Sequence, residues 1–305
     1  MKFHKTYVPL LTLIFTGLFF QGFSQDASVM SDISYLASDQ LGGRETGTTG
    51  NEMAREYILE RFESLGLKKM GDEYLQPFSF SMTVAANSRE VVQQAGLNVI
   101  GMIPGKTNQY IVITAHYDHL GSKDGKIFNG ADDNASGTAG LLAIAAHFSK
   151  KAPDHHLIFA AFDAEEKGLQ GAKYFVENMD IPKEAILLNV NMDMISRSDK
   201  NEIYACGTSY YPQFKPILEK VGEASEVSLK FGHDDPKLGY NDWTFSSDHG
   251  PFHRAEIPFV YFGVEDHDDY HKDTDEAEKI DPEFVNNTVA LITDFIQRVD
   301  KKMSN

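Results

Sequence analysis

The amino-acid sequence predicts an α/β fold in three layers, with a mixed, mostly parallel central sheet and helices on both faces. Three observations carry that expectation. Apolar runs of strand length recur along the chain, stretches of helical period fall between them, and three of the runs end abruptly in ionisable residues. Strands that are apolar throughout, and do not alternate, belong to parallel sheets buried on both sides.

The chain opens with Lys2 and Lys5 ahead of an almost uncharged run from Tyr7 to Phe20, then small residues around Gln21–Gln25. A basic segment, an apolar segment and a cleavage zone in that order make residues 1–24 a secretory signal. The alternative is a membrane anchor, for which the run falls short of the roughly 20 residues that a bilayer core needs. No cysteine follows the run, as a lipoprotein would require. The expected destination is therefore periplasmic or secreted, with the membrane met only in passing during export. Of 305 residues, 281 remain after residue 24, enough for one sizeable core.

Within residues 25–305 there is no repeat, no low-complexity stretch and no flexible linker, so they read as a single domain. Residues 49–66 carry Met53, Ala54, Tyr57, Ile58, Phe62 and Leu65 at helical spacing, closed by Gly66. Strands are expected at Leu97–Ile103, Tyr110–Ala115, Leu157–Phe162, Ala185–Met194 and Pro258–Phe262. Helices are expected at Ala135–Phe148, Leu169–Asn178 and Phe214–Gly222, and a last amphipathic one from about Pro282 to Val299.

Composition narrows the function. Cys206 is the sole cysteine, so the chain forms no internal disulfide and any metal must be held by His and carboxylates. The formal charge is −17, or −19 once Lys2 and Lys5 are removed with the signal. Nucleic-acid phosphates would be repelled by such a surface. Part of the acidity is local, in the stretch from Glu265 to Glu278.

The informative feature is where the strands end. Ile111–Ala115 runs into His116-Tyr117-Asp118-His119, Leu157–Phe162 into Asp163-Ala164-Glu165-Glu166, and Leu187–Met192 into Asp193. Open α/β sheets bind ligands beyond the carboxyl ends of their strands, so these groups point to one site. Singly, each has a plain structural explanation: a loop, a helix cap at Gly130–Gly137, a solvated acid pair, a polar loop around His271. Asp193 is harder to explain, because a lone buried carboxylate costs several kcal/mol. Jointly, two imidazoles and three carboxylates make a hard nitrogen–oxygen site for two divalent ions, with one carboxylate bridging. Such a pair can activate water and stabilise a tetrahedral intermediate, given one further carboxylate to move the proton. Neighbouring acids at a strand end divide that labour, Glu166 turned to a metal and Glu165 to the water.

The set His116-x-Asp118, Gly-Ala-Asp-Asp-Asn-Ala-Ser-Gly at 130–137, Glu165-Glu166, Asn191-Met192-Asp193-Met194 and His271 resembles the M28 family of co-catalytic zinc peptidases. That family includes bacterial leucyl aminopeptidases and glutamate carboxypeptidases, and glutaminyl cyclases share its fold. Leu41–Gly50 and Ser247–Phe252 are similar as well, and the match runs along essentially all of residues 25–305 in the family's order.

The resemblance implies a zinc-exopeptidase architecture and two zinc ions. His116 and Asp193 would hold one ion, Glu166 and His271 the other. Asp133 would bridge them, because the family's bridging carboxylate precedes the Asn-Ala-Ser-Gly element. Glu165 would be the general base, and Asp118 would accept a hydrogen bond from His116 and fix its tautomer. His119 and His249 are expected to pack loops or face substrate, not to bind metal. Tyr240, Trp243 and Phe245 either shape the substrate pocket or pack their own loop. Some secreted relatives carry a disulfide beside the pocket; this chain cannot.

The implied activity is hydrolysis of the first peptide bond of peptides with a free amino terminus. A glutaminyl cyclase with a single zinc is the alternative, against which Asn134-Ala135-Ser136-Gly137 reads as peptidase-like. A carboxypeptidase would need a cationic clamp, for which Arg197 and Arg254 are available. A non-catalytic binding module would be expected to have lost ligands, and here the full set is present. Oligomeric state and the preferred first residue are not legible.

Overall fold

The computed structural model describes residues 29–83 and 90–303. The expected signal, residues 1–24, lies outside them. In chain order the elements begin with α1 (residues 29–36), α2 (Thr49–Ser64), β1 (Lys68–Lys69), β2 (Leu75–Thr83) and β3 (Val91–Ile103). Next come β4 (Tyr110–His116), the hairpin β5 (Gly121–Lys123) and β6 (Lys126–Phe128), and α3 (Gly137–Phe148). β7 (His156–Phe162), α4 (Gln170–Asn178), β8 (Ile186–Met192) and β9 (Glu202–Cys206) follow. The chain ends through α5 (Lys215–Gly222), β10 (Ser228–Phe231), α6 (His249–Arg254), β11 (Phe259–Gly263) and α7 (Pro282–Lys302).

Local chemistry sets several boundaries. Thr48 caps α2 by accepting from the Asn51 amide. Asp281 caps α7 by accepting from the Glu283 and Phe284 amides, with Pro282 in the first turn and Lys301 and Lys302 in the last. Val285, Val289, Ile292, Phe295, Ile296 and Val299 form the buried stripe of α7.

Among the described residues nine strands form one sheet in the order β1-β3-β7-β4-β8-β11-β9-β10, with β2 also paired to β3. The central run β7-β4-β8-β11 is parallel. The antiparallel pairs lie toward the flanks, where β3 meets β7 and its own partners and β9 meets β11. Alternation along the strands feeds two cores. Ile111, Ile113, Leu157, Phe159 and Ala161 pack with α2, α3, α5 and α7 on one face. Val112, Ile158, Ala160 and Phe162 pack with Ala172 and Phe175 of α4 and Phe252 of α6 on the other. This is the expected three-layer α/β/α arrangement with a mixed sheet. No helix among the described residues is long and apolar enough to cross a membrane.

The connections position the site. α3 carries the chain from β4 to its neighbour β7 on one face, and α4 carries it back on the other face to β8 on the far side of β4. The carboxyl end of β4 is thus a switch point, where the crevice of an open sheet opens.

Candidate metal centre

Five segments converge on that crevice. β4 ends in His116, which lies in register with Phe162 at the end of β7, so the loop holding Glu165 and Glu166 starts beside it. Asp193 follows the last residue of β8, Asp133 lies in the turn ahead of α3, and His271 comes from the loop after β11. Ala164, Met194 and His271 have left-handed backbone (φ 59°, 59° and 55°), so three of the donor-bearing segments turn sharply at or beside a donor.

Asp133 lies between two groups of donors. Its Oδ1 stands 3.4 Å from Nε2 of His116, which is itself 3.3 Å from Oδ1 of Asp193. Its Oδ2 stands 3.1 Å from Nε2 of His271, which is 3.6 Å from Oε1 of Glu166. The structure therefore brings together all five residues that the sequence singles out as ligands. It adds one that the sequence set aside: His119 Nδ1 is 2.8 Å from Oε1 of Glu166 and 3.8 Å from Oδ2 of Asp133. His249, by contrast, is buried away from the donors, stacked on Tyr261 and bonded through Nε2 to the Trp243 carbonyl.

A second tier of contacts fixes these groups. His116 Nδ1 donates to the backbone carbonyl of Asp118 at 3.1 Å, which leaves the Nε2 lone pair facing the carboxylates. The Asp118 carboxylate, expected to make that contact, is 3.7 Å from Nδ1, beyond hydrogen-bond reach. It accepts instead from the amides of Glu165 (3.0 Å) and Glu166 (3.3 Å), and so orients the acid pair. Asp132 points away from Asp133 and accepts from the Ser196 amide and hydroxyl and from His267 Nε2. Asp275 accepts the amides of both Asp132 and Asp133. Arg44 is fully buried and donates to the carbonyls of Leu36, Tyr117, Asn129 and Gly130, tying together the segments on either side of the centre.

Burial would raise the Asp133 carboxyl, but His119, His116 and His271 hold it well below the usual range. Burial pushes Glu165 well above its ordinary value, and the nearby Asp193, Asp248 and Glu166 carboxylates add to this against His116. Burial, with Asp118 and Asp193, likewise pushes Asp248 up to about 8. So many carboxylates in so dry a place call for cationic charge.

The donor set fits divalent metal. His116, Asp133 and Asp193 form one group of donor atoms within 4.8 Å of one another, and His119, Asp133 and Glu166 a second. Both ring nitrogens of His119, Oε1 of Glu166 and both oxygens of Asp248 are buried without a hydrogen-bond partner. A buried orphan of this kind costs about 1–3 kcal/mol unless something compensates it.

A cavity of about 390 Å³ opens over the centre, with Asp133, Glu165, Glu166 and Asp193 on its floor. Tyr240 and Trp243 line it, as the pocket reading expects, joined by Tyr261 and Tyr270. Phe245 does not; it packs under Arg254. Arg197 pairs with Asp269. Neither arginine lines this cavity.

A profile described as Peptidase family M28 matches residues 98–296. Among curated proteins, Aminopeptidase YwaD of Bacillus subtilis (strain 168) is 28% identical over 291 residues, covering 92% of this chain and 59% of the relative. The chain spans about half to three-fifths of the length of the curated relatives that head the comparison. Among solved structures, the aminopeptidase from Aneurinibacillus sp. strain AM-1 superposes with a TM-score of 0.72 at 17% identity, covering 89% of this chain and 93% of that one. Porphyromonas gingivalis glutaminyl cyclase superposes with a TM-score of 0.69 at 16% identity, over 92% and 98%. At these identities the solved structures share the fold.

Proposed function

Because the chain belongs to peptidase family M28, we propose that it is an exported two-zinc aminopeptidase that removes the first residue of peptides with a free amino terminus. In this reading residues 1–24 are the signal, residues 25–305 the mature domain, and the destination is periplasmic or extracellular. His116 and Asp193 would hold one zinc, Glu166 and His271 the other, with Asp133 shared. When bound, the ions would supply Lewis acidity to activate water and polarise the scissile carbonyl.

The chain's own residues do the rest. Glu165 takes the proton from the attacking water and delivers it to the leaving amine, work suited to a carboxyl whose proton affinity burial has raised. Asp118 keeps Glu165 turned from Glu166 by holding both amides. The acidic lining, Asp266 included, favours a cationic amino terminus. Tyr240, Trp243, Tyr261 and Tyr270 give the first side chain an aromatic surface.

The observation that carries this reading is the placement of Asp133, whose two oxygens face two different donor groups. A single-zinc centre has no need of that division. The test is zinc content by plasma mass spectrometry on chelator-washed, reloaded protein, paired with hydrolysis of aminoacyl-nitroanilides. Two zinc ions and amino-acid release are expected, and Glu165→Gln should keep both ions while turnover falls about 10²–10⁴-fold. Undiminished turnover in that variant would remove Glu165 as the base. One zinc, no hydrolysis and cyclisation of a glutaminyl peptide would make the protein a glutaminyl cyclase.

A further inference from the structure

His119 is a side chain at the centre to which neither the family resemblance nor the proposed mechanism gives a metal or proton to hold. It is fully buried, and neither ring nitrogen has a hydrogen-bond partner among the described residues. A neutral imidazole normally satisfies both a donor and an acceptor when it is out of water. Its Nδ1 nevertheless lies 2.8 Å from Oε1 of Glu166, and that oxygen too lacks a hydrogen-bond partner. Two buried atoms this close, neither meeting a hydrogen-bond partner, are suited to share a cation.

Asp133 Oδ2 is the third atom of the group, 3.8 Å from Nδ1. Atoms bound about 2.0–2.2 Å from one zinc stand roughly 3–3.6 Å apart, close to these separations. The backbone makes room for the ring. Gly130 has a left-handed φ of 54°, and a Cβ there would meet the Asp133 carbonyl oxygen at 2.0 Å as well as His119 Cδ2 at 2.5 Å and Cγ at 2.6 Å. The ring and the Asp133 carbonyl together fill the space that a side chain at 130 would claim.

We infer that His119 is a metal ligand through Nδ1, a third histidine of the centre that completes the Asp133, Glu166 and His271 site from its buried side. Ligation through Nδ1 places the ring proton on Nε2. His271, with its side chain 40% exposed, then guards the solvent side of the same ion, while His119 holds the side that water does not reach. The inference rests on the two-ion reading for its site, not for its geometry.

The test is zinc affinity by chelator competition on His119→Gln beside His271→Gln, with X-ray absorption at the zinc edge on the fully loaded wild type. Outer-sphere changes already cost 10–100-fold in affinity, so loss of a direct ligand should weaken the second zinc by about 100-fold in either variant and leave the first within a few-fold. The absorption spectrum should count three imidazoles over two zinc ions. The metal-free His119→Gln variant should melt with the metal-free wild type, since a purely packing role would lower its melting temperature and leave affinity alone. Unchanged affinity in His119→Gln, or two imidazoles over two ions, overturns the inference and leaves the two-zinc reading standing. If that variant does not fold, the imidazole count on the wild type decides. A wild type that saturates at one zinc overturns the two-ion reading, and His119 is then judged by whether its replacement weakens that ion.

Discussion

Arg44 offers the sharpest test of how the centre is built. Its guanidinium is fully buried and donates to four carbonyls, Leu36 (2.5 Å), Asn129 (2.6 Å), Tyr117 (2.9 Å) and Gly130 (3.0 Å). Burial lowers its pKa to about 10, with Asp133, Asp118, Asp275 and Glu166 opposing the shift, so it stays charged at neutrality. Arg44→Met fills much of the volume and leaves four buried acceptors without this donor. The Gly130 carbonyl keeps the Ala135 amide as a donor, so three carbonyls go unmet. At the low end of the cost of an unmet buried hydrogen bond, about 1 kcal/mol each, the loss is about 3 kcal/mol. That is a large part of the roughly 5–15 kcal/mol that holds a typical domain together. Arg44→Lys presents a compact ammonium that reaches about half of the four carbonyls, so roughly half as much stability should go. Urea unfolding of metal-free protein measures both, and zinc affinity at low denaturant measures the local effect. Tyr117 and Gly130 adjoin the segments bearing His116 and Asp133, so zinc should bind more weakly in both variants. A loss below about 1 kcal/mol in Arg44→Met, or unaltered zinc affinity in the folded variant, would refute this account of the scaffold.

Two further outcomes follow from the same physics. Burial lowers the pKa of His249 to about 3, while the unfolded chain protonates near the ordinary 6.5, so the native state gives up the proton that the unfolded state keeps. Its contribution is full above pH 6.5 and is lost as pH falls toward 3, by roughly 1.4 kcal/mol per unit. His249→Phe should flatten the acid limb of the stability profile by that slope, and an unchanged limb sinks the assignment. Chelation should lower thermal stability, because ions that bind only the native state add about 2.7 kcal/mol at a hundredfold excess over Kd. Differential scanning calorimetry with and without chelator should show a drop of about 5–10 °C, and coincident melts would speak against bound metal.

Much of the fold could be read where burial writes an unbroken apolar signal. β4, β7, β8 and β11 lie within a residue or two of their expected bounds because both of their faces are covered. The flanks were harder. β2 alternates, as Leu75-Gln76-Pro77-Phe78-Ser79-Phe80, and half of it faces water, so a search for continuous runs passes over it and over the first six residues of β3. β9 and β10 are short and partly exposed for the same reason. At the centre, His116, Glu166 and Asp193 are legible because strands deliver them, whereas Asp133 and His271 are legible through the family resemblance. Of the groups that hold them, Asp118 is legible through the resemblance and Asp275 and Arg44 are not. Asp275 looked like one acid in an acidic run, and its bonds to the Asp132 and Asp133 amides depend on a contact across more than 140 positions. Arg44 works through backbone carbonyls, which carry no side-chain signature. His119 stood three residues from a ligand, and only the fold could show whether a four-residue loop turns it inward or out.

The wide spacing of the donors bears on when the centre can exist. His116, Asp133, Glu166, Asp193 and His271 come from segments that the strands β7, β4, β8 and β11 bring side by side in the sheet. A growing chain that has not reached residue 271 carries only part of the donor set. Sites of this sort scarcely exist in an unfolded chain, so ion capture and completion of the fold are one event. Pairings so distant in sequence also form slowly. If the chain is exported as proposed, it would therefore travel without its ions and collect them on arrival. Metal content would then record maturation, separating chains that finished folding from those that did not.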